Sequence, residues 1–226
     1  MIVNNIHRAG LLAATLLMLG GCSTVGDAPR AILGYAAPGL VGDPRYAGFE
    51  DHGHVIPAIP AAYLTEENVR QVVDFTGSEA PGTIVVDPAA HFLYLVEENG
   101  KALRYRVGVG KAGFAFAGNA TIARKAEWPG WTPTANMLRR EPDRFGPYAG
   151  GLEGGLGNPL GARALYLYRG GRDTYYRIHG TNEPATIGRS VSSGCIRMFN
   201  QDVIDLESRV PVGAQVVVRS AASPSV

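Results

Sequence analysis

Short β-rich runs separated by turn residues fill the chain from Gly82 onward and constrain its fold most. Runs of β-branched and aromatic residues bounded by Gly, Pro, Asn or Asp are typical of strands. Asn99-Gly100 is in addition a strong hairpin signal. We therefore expect a mainly β domain. The predicted strands are Thr83–Asp87, Phe92–Val96, Leu103–Val109, Phe114–Phe116, Thr121–Ala123, Ala162–Tyr168, Tyr175–His179 and Gln215–Arg219.

One or two short helices accompany these strands. Asn200–Val210 is predicted to be a helix with Asn200 as N-cap, because Val203, Ile204 and Leu206 fall on or near one face. Tyr63–Phe75 is a second candidate helix. Residues 126–160 are rich in Pro and Gly, and so long a loop inside a domain is usually functional, so a lid is expected there.

The first residues have the layout of a secretory signal. His7 and Arg8 precede the apolar run Ala9–Leu19, which is too short to span a bilayer. Small residues then lead directly to Cys22, and this order resembles the lipobox of bacterial lipoproteins. The resemblance implies that Cys22 is acylated. Because Ser23 rather than Asp follows it, the resemblance to Gram-negative lipoproteins implies the outer membrane rather than retention in the inner one.

These features predict four regions and one compartment. Residues 1–21 form a lipoprotein-type signal peptide, and 22–80 a lipid-anchored tether or extension with many Pro and Gly. Residues 82–219 form the β-rich domain, and 220–226 a tail. A lipid on Cys22 would place the domain in the periplasm, attached to a membrane.

Charge and cysteine count narrow the function. The chain has 21 basic and 20 acidic residues without a basic stripe, so nucleic acid is not an expected partner. It has two cysteines, Cys22 and Cys195. If Cys22 carries lipid, Cys195 is a lone thiol in an oxidising compartment, where such a group is a liability unless it is buried or used.

His179 and Cys195 can form a nucleophile and base pair. A thiol needs an imidazole nearby to take its proton, and the carbonyl of Gly180 can orient that imidazole. Gly194 lets a substrate carbonyl approach the backbone, where consecutive N–H groups can face a developing oxyanion. A buried structural cysteine beside an unrelated histidine is an equally good interpretation from the residue types alone. Ser193 and its neighbour Ser192 are rival nucleophiles, but no G-x-S-x-G elbow frames them.

Two other patterns carry no function. His52 and His54 alternate as on a strand, but no further ligands lie near, so no metal site is expected. Gly108–Gly113 matches G-x-G-x-x-G, but the sequence after it does not open a helix, so no dinucleotide site is predicted.

The segment from His179 to Arg197 resembles the active-site signature of the YkuD-type L,D-transpeptidase catalytic domain. That pattern has a His, a gap of about fifteen residues, Ser/Thr-His-Gly-Cys and an Arg two residues on. Cys195 lies 16 residues after His179 here, with Ser192, Gly194 and Arg197 in register. The Asn-Pro-Leu-Gly run at 158–161 and the Trp-rich stretch at 128–134 also fit. The chain departs from the pattern at Ser193, where the family has a second histidine.

The resemblance covers residues 82–219 and implies a mixed β-sandwich that acts on peptidoglycan stem peptides without metal or cofactor. Cys195 would be the nucleophile and His179 the base. The backbone N–H of Cys195, with that of Gly194 or Ser193, would hold the oxyanion. Ser192, Gly180 and Thr181 would line the oxyanion or substrate site, and Arg197 would either face a substrate carboxylate or brace the loop. Three outcomes stay open: transfer to an amine, hydrolysis by water, and a wall-binding module without chemistry.

Overall fold

A computed structural model of the chain describes residues 42–110, 116–191 and 196–220. All of these residues belong to one unit, Gly34–Val226. The strands of the described part are β1 (Phe49–Asp51), β2 (His54–Ile56), β3 (Gln71–Asp74), β4 (Ile84–Asp87), β5 (Phe92–Val96), β6 (Lys101–Arg106), β7 (Gly108–Gly110), β8 (Gly118–Glu127), β9 (Arg163–Arg169), β10 (Arg172–His179), β11 (Ser190–Val191), β12 (Ile196–Arg197) and β13 (Gln215–Val218). The helices are α1 (Ala135–Arg140), α2 (Pro142–Phe145) and α3 (Asn200–Arg209).

The strands from β3 to β13 form one mixed sheet that curls back on itself. Its order in the described part is β11-β7-β12-β10-β9-β8-β13-β4-β5-β6-β3. β6 and β7 lie near opposite ends of this order, yet only Val107 separates them in the chain. The two halves of the sheet must therefore face each other. This arrangement confirms the predicted mainly β, sandwich-like fold with few short helices.

The core lies between the two halves of the sheet. A single hydrophobic cluster takes its members from strands of both halves and from α3; they include Leu93, Leu103, Leu165, Ile178, Ile196, Val203 and Leu206. All seven side chains are almost completely buried. Burial of each such side chain is worth about 1.5–3 kcal/mol relative to exposure, so this cluster fixes how the two halves pack.

The predicted hairpin joins β5 to β6. Asn99 and Gly100 have φ values of 59° and 66°, as a two-residue turn of the I′ type requires at both central positions. Phe92 then pairs with Arg106 and Val96 with Ala102. The Asn-Gly signal therefore predicted this connection correctly.

The helix predicted over Tyr63–Phe75 is wrong. A single 3₁₀ turn spans Ala61–Tyr63, and Gln71–Asp74 forms β3, which pairs with β6 at the edge of the sheet. Val72 packs against the main core, while Val73 packs against a second cluster on the other face. Side chains that alternate between two faces have the period of a strand, and pairing with a distant strand overrode the local pattern.

Residues 42–75, within the predicted tether, pack against the domain in this structure. Tyr46 and Val69 form a small cluster with Phe199, the residue before α3. The guanidinium of Arg70 donates to the buried carboxylate of Asp202 in α3 at 2.8 Å. This segment therefore covers the helix that follows the candidate site.

Helix α3 confirms the predicted helix but not its cap. Phe199 occupies the N-cap position, and the side chain of Asn200 does not cap the helix. Its Oδ1 instead accepts from the N–H of Ala162 at 3.0 Å, and its Nδ2 donates to the carbonyl of Thr181 at 3.1 Å. Bonds to two distant segments replaced the local one that the sequence pattern suggests.

Candidate active site

His179 is the last residue of β10, at the point where the chain leaves the sheet. It pairs with Ala164 of β9 on one side and with Arg197 of β12 on the other. Its carbonyl accepts from the N–H of Met198 at 2.8 Å. The ring Nδ1 lies 2.6 Å from the carbonyl oxygen of Gly180, as the sequence predicted. A carbonyl only accepts, so Nδ1 carries the proton, and Nε2 keeps its lone pair.

Burial keeps the imidazole of His179 neutral. The side chain is 4% exposed, and this burial lowers the pKa of His179 to about 4. The hydrogen bond to Gly180 opposes the shift, while the positive charges of Arg197 and Arg177 add to it. At neutral pH the ring is therefore an unprotonated base rather than an imidazolium.

Close packing of two glycines against Asn200 fixes the turn after His179. A Cβ on Gly180 would lie 2.2 Å from Oδ1 of Asn200, so no larger residue fits there. A Cβ on Gly161, whose φ is 61°, would lie equally close to Oδ1 of Asn200. Thr181 is buried, and its Oγ1 accepts from the N–H of Glu183 at 3.0 Å. The predicted residues Gly180 and Thr181 thus set the position of the Gly180 carbonyl, which accepts from Nδ1 of His179, and of the chain beyond it.

Arg197 lies beside His179 on the neighbouring strand. Its Nη1 donates to Oε2 of Glu183 at 2.7 Å, and the side chain is buried. Arg197 also lines the cavity next to His179. It therefore ties β12 to the turn after His179 and presents positive charge at the cavity wall.

Four of the predicted site residues, Ser192, Ser193, Gly194 and Cys195, lie outside the described residues, as does Cys22. Their flanking residues are described. Val191 pairs with Gly110 on one edge of β7, and Ile196 pairs with Val109 on the other. Ile196 also pairs with Ile178. The residue after Cys195 is thus the strand neighbour of the residue before His179.

A cavity of about 280 Å³ opens beside His179 under the predicted lid. Its lid wall includes Trp131, Phe145 and Tyr148, and its sheet wall includes His179 and Arg197. The lid contains α1 and α2, which the sequence pattern did not predict. A largely apolar wall facing a few polar groups is typical of a binding site for a small organic ligand.

Asn158 holds the lid together and was not among the predicted site residues. It is 2% exposed, and its Nδ2 donates to the carbonyls of Pro129 and Glu153, each at 3.0 Å. Its Oδ1 accepts from the N–H of Leu160 at 2.8 Å. The sequence signal for it was only its place in the Asn-Pro-Leu-Gly run, which says nothing of these contacts.

His52 and His54, the two histidines for which no metal site was expected, lie at the edge of the lid. Nδ1 of His52 is 3.2 Å from a carboxylate oxygen of Glu127, and the ring of His54 lies 4.0 Å from that of Trp128. Across residues 42–110, 116–191 and 196–220, no group of three His, Cys, Asp or Glu side chains is placed to hold a metal ion. The helices in those ranges are all too short or too polar to cross a bilayer.

Known proteins are similar to the part of the chain that contains this site. The model of the YkuD family, described as the L,D-transpeptidase catalytic domain, matches residues 81–218. The probable L,D-transpeptidase ErfK/SrfK of Escherichia coli K12 is 38% identical over 138 residues, which cover 60% of this chain and 43% of that protein. The probable L,D-transpeptidase YbiS of the same organism is 32% identical over 151 residues, 66% of this chain and 48% of that protein. The chain thus spans less than half the length of these relatives.

Several solved structures also match. A Brucella melitensis protein described as a probable carnitine operon oxidoreductase is 56% identical, with a TM-score of 0.47; the match covers 66% of this chain and 92% of that one. L,D-transpeptidase 3 of Mycobacterium tuberculosis is 14% identical, with a TM-score of 0.45, over 61% of this chain and 60% of that one.

Proposed function

The chain belongs to the YkuD family of L,D-transpeptidase catalytic domains, and we propose that it is a peptidoglycan L,D-transpeptidase with Cys195 as nucleophile and His179 as base. One observation carries the proposal. His179 is neutral, with Nδ1 bonded to Gly180 and Nε2 left to accept a proton, beside the strand that begins directly after Cys195.

The proposed reaction has two halves that share one base. Nε2 of His179 takes the thiol proton as the sulfur of Cys195 attacks the carbonyl of the third stem residue, meso-diaminopimelate in a Gram-negative cell. The bond to the terminal D-alanine breaks, His179 protonates the leaving amine, and a thioester remains. An amine of another stem then attacks the thioester, His179 takes its proton, and the thiolate leaves and is reprotonated. The backbone N–H of Cys195, with that of Gly194 or Ser193, would stabilise the oxyanion in both halves.

The low pKa of His179 indicates which resting state the pair has. Burial disfavours the protonated imidazolium form of His179, so the ring does not readily hold a thiol proton before the substrate binds. A neutral thiol and imidazole are therefore the expected resting pair, and proton transfer accompanies attack on the substrate rather than preceding it. In the second half the same neutral ring is ready to take a proton from the amine.

The same proposal places the enzyme at the cell envelope. Small residues directly before Cys22, after a charged and then an apolar segment, support lipidation of that cysteine and a periplasmic domain, attached most simply to the outer membrane. An anchor would keep the domain near its immobile substrate. Globomycin treatment of cells should then cause a precursor with an uncleaved signal peptide to accumulate, and an unchanged mature protein would contradict the anchor.

Product analysis tests the proposed function. The purified protein is incubated with a tetrapeptide muropeptide, and the products are separated and weighed by mass spectrometry. A dimer that has lost one D-alanine supports transfer to an amine, as does a tripeptide joined to an added amine. A free tripeptide alone would mean that water is the acceptor and the enzyme is a hydrolase. No product from folded protein that still binds sacculi would favour the non-catalytic wall-binding module.

A further inference from the structure

An arginine and tyrosine row lies on the same sheet face as His179. Tyr166 of β9 pairs with Arg124 of β8 on one side and with Arg177 of β10 on the other. His179 lies two residues beyond Arg177 on β10 and pairs with Ala164. Residues two apart on a strand share a face, as do cross-strand partners, and two residues span about 7 Å. Arg124, Tyr166 and Arg177, here called the arginine row, therefore run across β8, β9 and β10 about 7 Å along the strands from the pair of His179 and Ala164, with Arg177 nearest to His179.

The lid and the arginine row lie on opposite sides of His179. The chain enters β9 at Arg163 directly after the lid, so Tyr166 is farther from the lid than Ala164, the partner of His179. The positive charge of Arg177 also contributes to the low pKa of His179, after burial and the charge of Arg197, which confirms that the row is close. A peptide bound with its reacting carbonyl near His179 can thus extend one way under the lid and the other way over the row.

The guanidinium groups of Arg177 and Arg124 differ in their hydrogen-bond partners. Arg177 donates through both Nη atoms to the two carboxylate oxygens of Asp173, each at 2.7 Å, and its Cζ lies 4.2 Å from the ring centre of Tyr166. Cζ of Arg124 lies 3.5 Å from the same centre. Arg124 is exposed, and no ion pair is found for it within the described ranges. The row thus has two positive charges against one carboxylate.

We propose that Arg124, stacked on Tyr166 beside Arg177, binds a carboxylate of a peptidoglycan stem peptide; this rests on the proposed function above. A guanidinium that lies flat on an aromatic ring is held in place and keeps its N–H edge open to solvent. That edge matches a carboxylate in a bidentate pair, which is among the stronger hydrogen-bonded contacts. Stem peptides carry free carboxylates, either on the donor whose carbonyl is attacked or on the acceptor whose amine attacks.

One experiment distinguishes the donor peptide from the acceptor peptide. It also tests the carboxylate site separately from the proposed transpeptidase activity. Full-length protein, wild type and Arg124→Gln, is assayed for acyl-enzyme formation from a tetrapeptide, and separately for transfer of the acyl group to a second stem. The substrates carry either a free or an amidated diaminopimelate side-chain carboxylate. Arg172→Gln is the matched control, because it removes an exposed arginine from the far end of β10. Arg124→Lys keeps the charge and loses the planar fork.

Arg124→Gln should raise the concentration needed for half-maximal rate about tenfold or more in one of the two steps, with Arg124→Lys in between and Arg172→Gln like wild type. If Arg124→Gln weakens acyl-enzyme formation, Arg124 binds a carboxylate of the donor peptide. If it weakens transfer alone, Arg124 binds a carboxylate of the acceptor peptide. In wild type, amidation of the recognised carboxylate should cause the same loss, and in Arg124→Gln no further loss. Equal values for Arg124→Gln and wild type with all substrates would overturn the carboxylate site while the enzyme remains active. Absence of acylation in the wild type would overturn the proposed function itself.

Discussion

At the scale of the residue, the site depends on where one proton sits. The bond from Nδ1 of His179 to the carbonyl of Gly180 leaves Nε2 as the acceptor, and burial keeps the ring neutral. The sequence predicted this contact, because the carbonyl of the next residue, Gly180, can come within reach of the ring. It did not predict the role of Asn200, since an asparagine at a helix start is read as a cap. Only the folded chain brings Ala162 and Thr181 to its amide.

The pH dependence of acylation follows from His179. The ring accepts a proton only when neutral, and its pKa is lowered from 6.5 to about 4. As the pH falls, the rate of acyl-enzyme formation should therefore hold through pH 6 and drop only as the pH approaches about 4. Stopped-flow or quenched mass measurement across pH 3.5–8 checks this, with fold monitored by circular dichroism. An acid limb centred near 6.5 would contradict the buried, neutral ring.

At the scale of the element, local patterns predicted the strands and the hairpin, whereas pairing and packing decided the exceptions. Gln71–Asp74 became a strand because β6 offered a free edge, which no local window shows. The lid was expected as a loop from its prolines and glycines, but α1 begins with Thr134 as its cap, whose Oγ1 accepts from the N–H of Met137. The lid is held to itself largely through Asn158, whose partners are up to 29 residues away.

Asn158→Ala should loosen the lid and leave the sheet intact. The substitution leaves the buried carbonyl of Pro129 and the partly buried one of Glu153 without their donor, at a cost of about 1–3 kcal/mol. We expect faster tryptic cleavage after Arg139 and Arg140 and a KM for the tetrapeptide raised several-fold. Asn119→Ala, an exposed asparagine on β8, is the control. Unchanged cleavage and an unchanged KM would show that the lid does not depend on Asn158.

At the scale of the whole molecule, the segment before the catalytic domain is part of the folded unit. The sequence predicted a lipid-anchored tether or extension over 22–80 from its many Pro, Gly and Ala residues, and composition does not show which few side chains hold residues 42–75 to the rest of the unit. Those anchors are Arg70 on Asp202 of α3, and Asp51, which accepts from both Nη atoms of Arg163 at 2.7 and 2.8 Å. The strand order of the curled sheet could not be predicted from the sequence either, because it depends on pairings between strands that are distant in the chain.

Breaking the Arg70 contact should destabilise the whole domain. Asp202 is fully buried, and burial raises the pKa of its carboxyl while Arg70 opposes the shift. Arg70→Met leaves this carboxylate without its cationic partner, and we expect the free energy of unfolding to fall by about 3–5 kcal/mol in urea denaturation. The double variant Arg70→Met/Asp202→Leu should recover most of the loss. A fall below about 1 kcal/mol in the single variant would mean that the segment is only loosely attached.

Formation of a thioester on Cys195 can be tested by measuring the mass of the intact protein. The purified protein is incubated with a tetrapeptide muropeptide and, separately, with a carbapenem, which acylates reactive active-site nucleophiles. We expect an added acyl mass on the wild type in both cases and none on Cys195→Ala, with transfer products formed only from the muropeptide. An unmodified wild type of native fold, or an adduct that persists on Cys195→Ala, would contradict it.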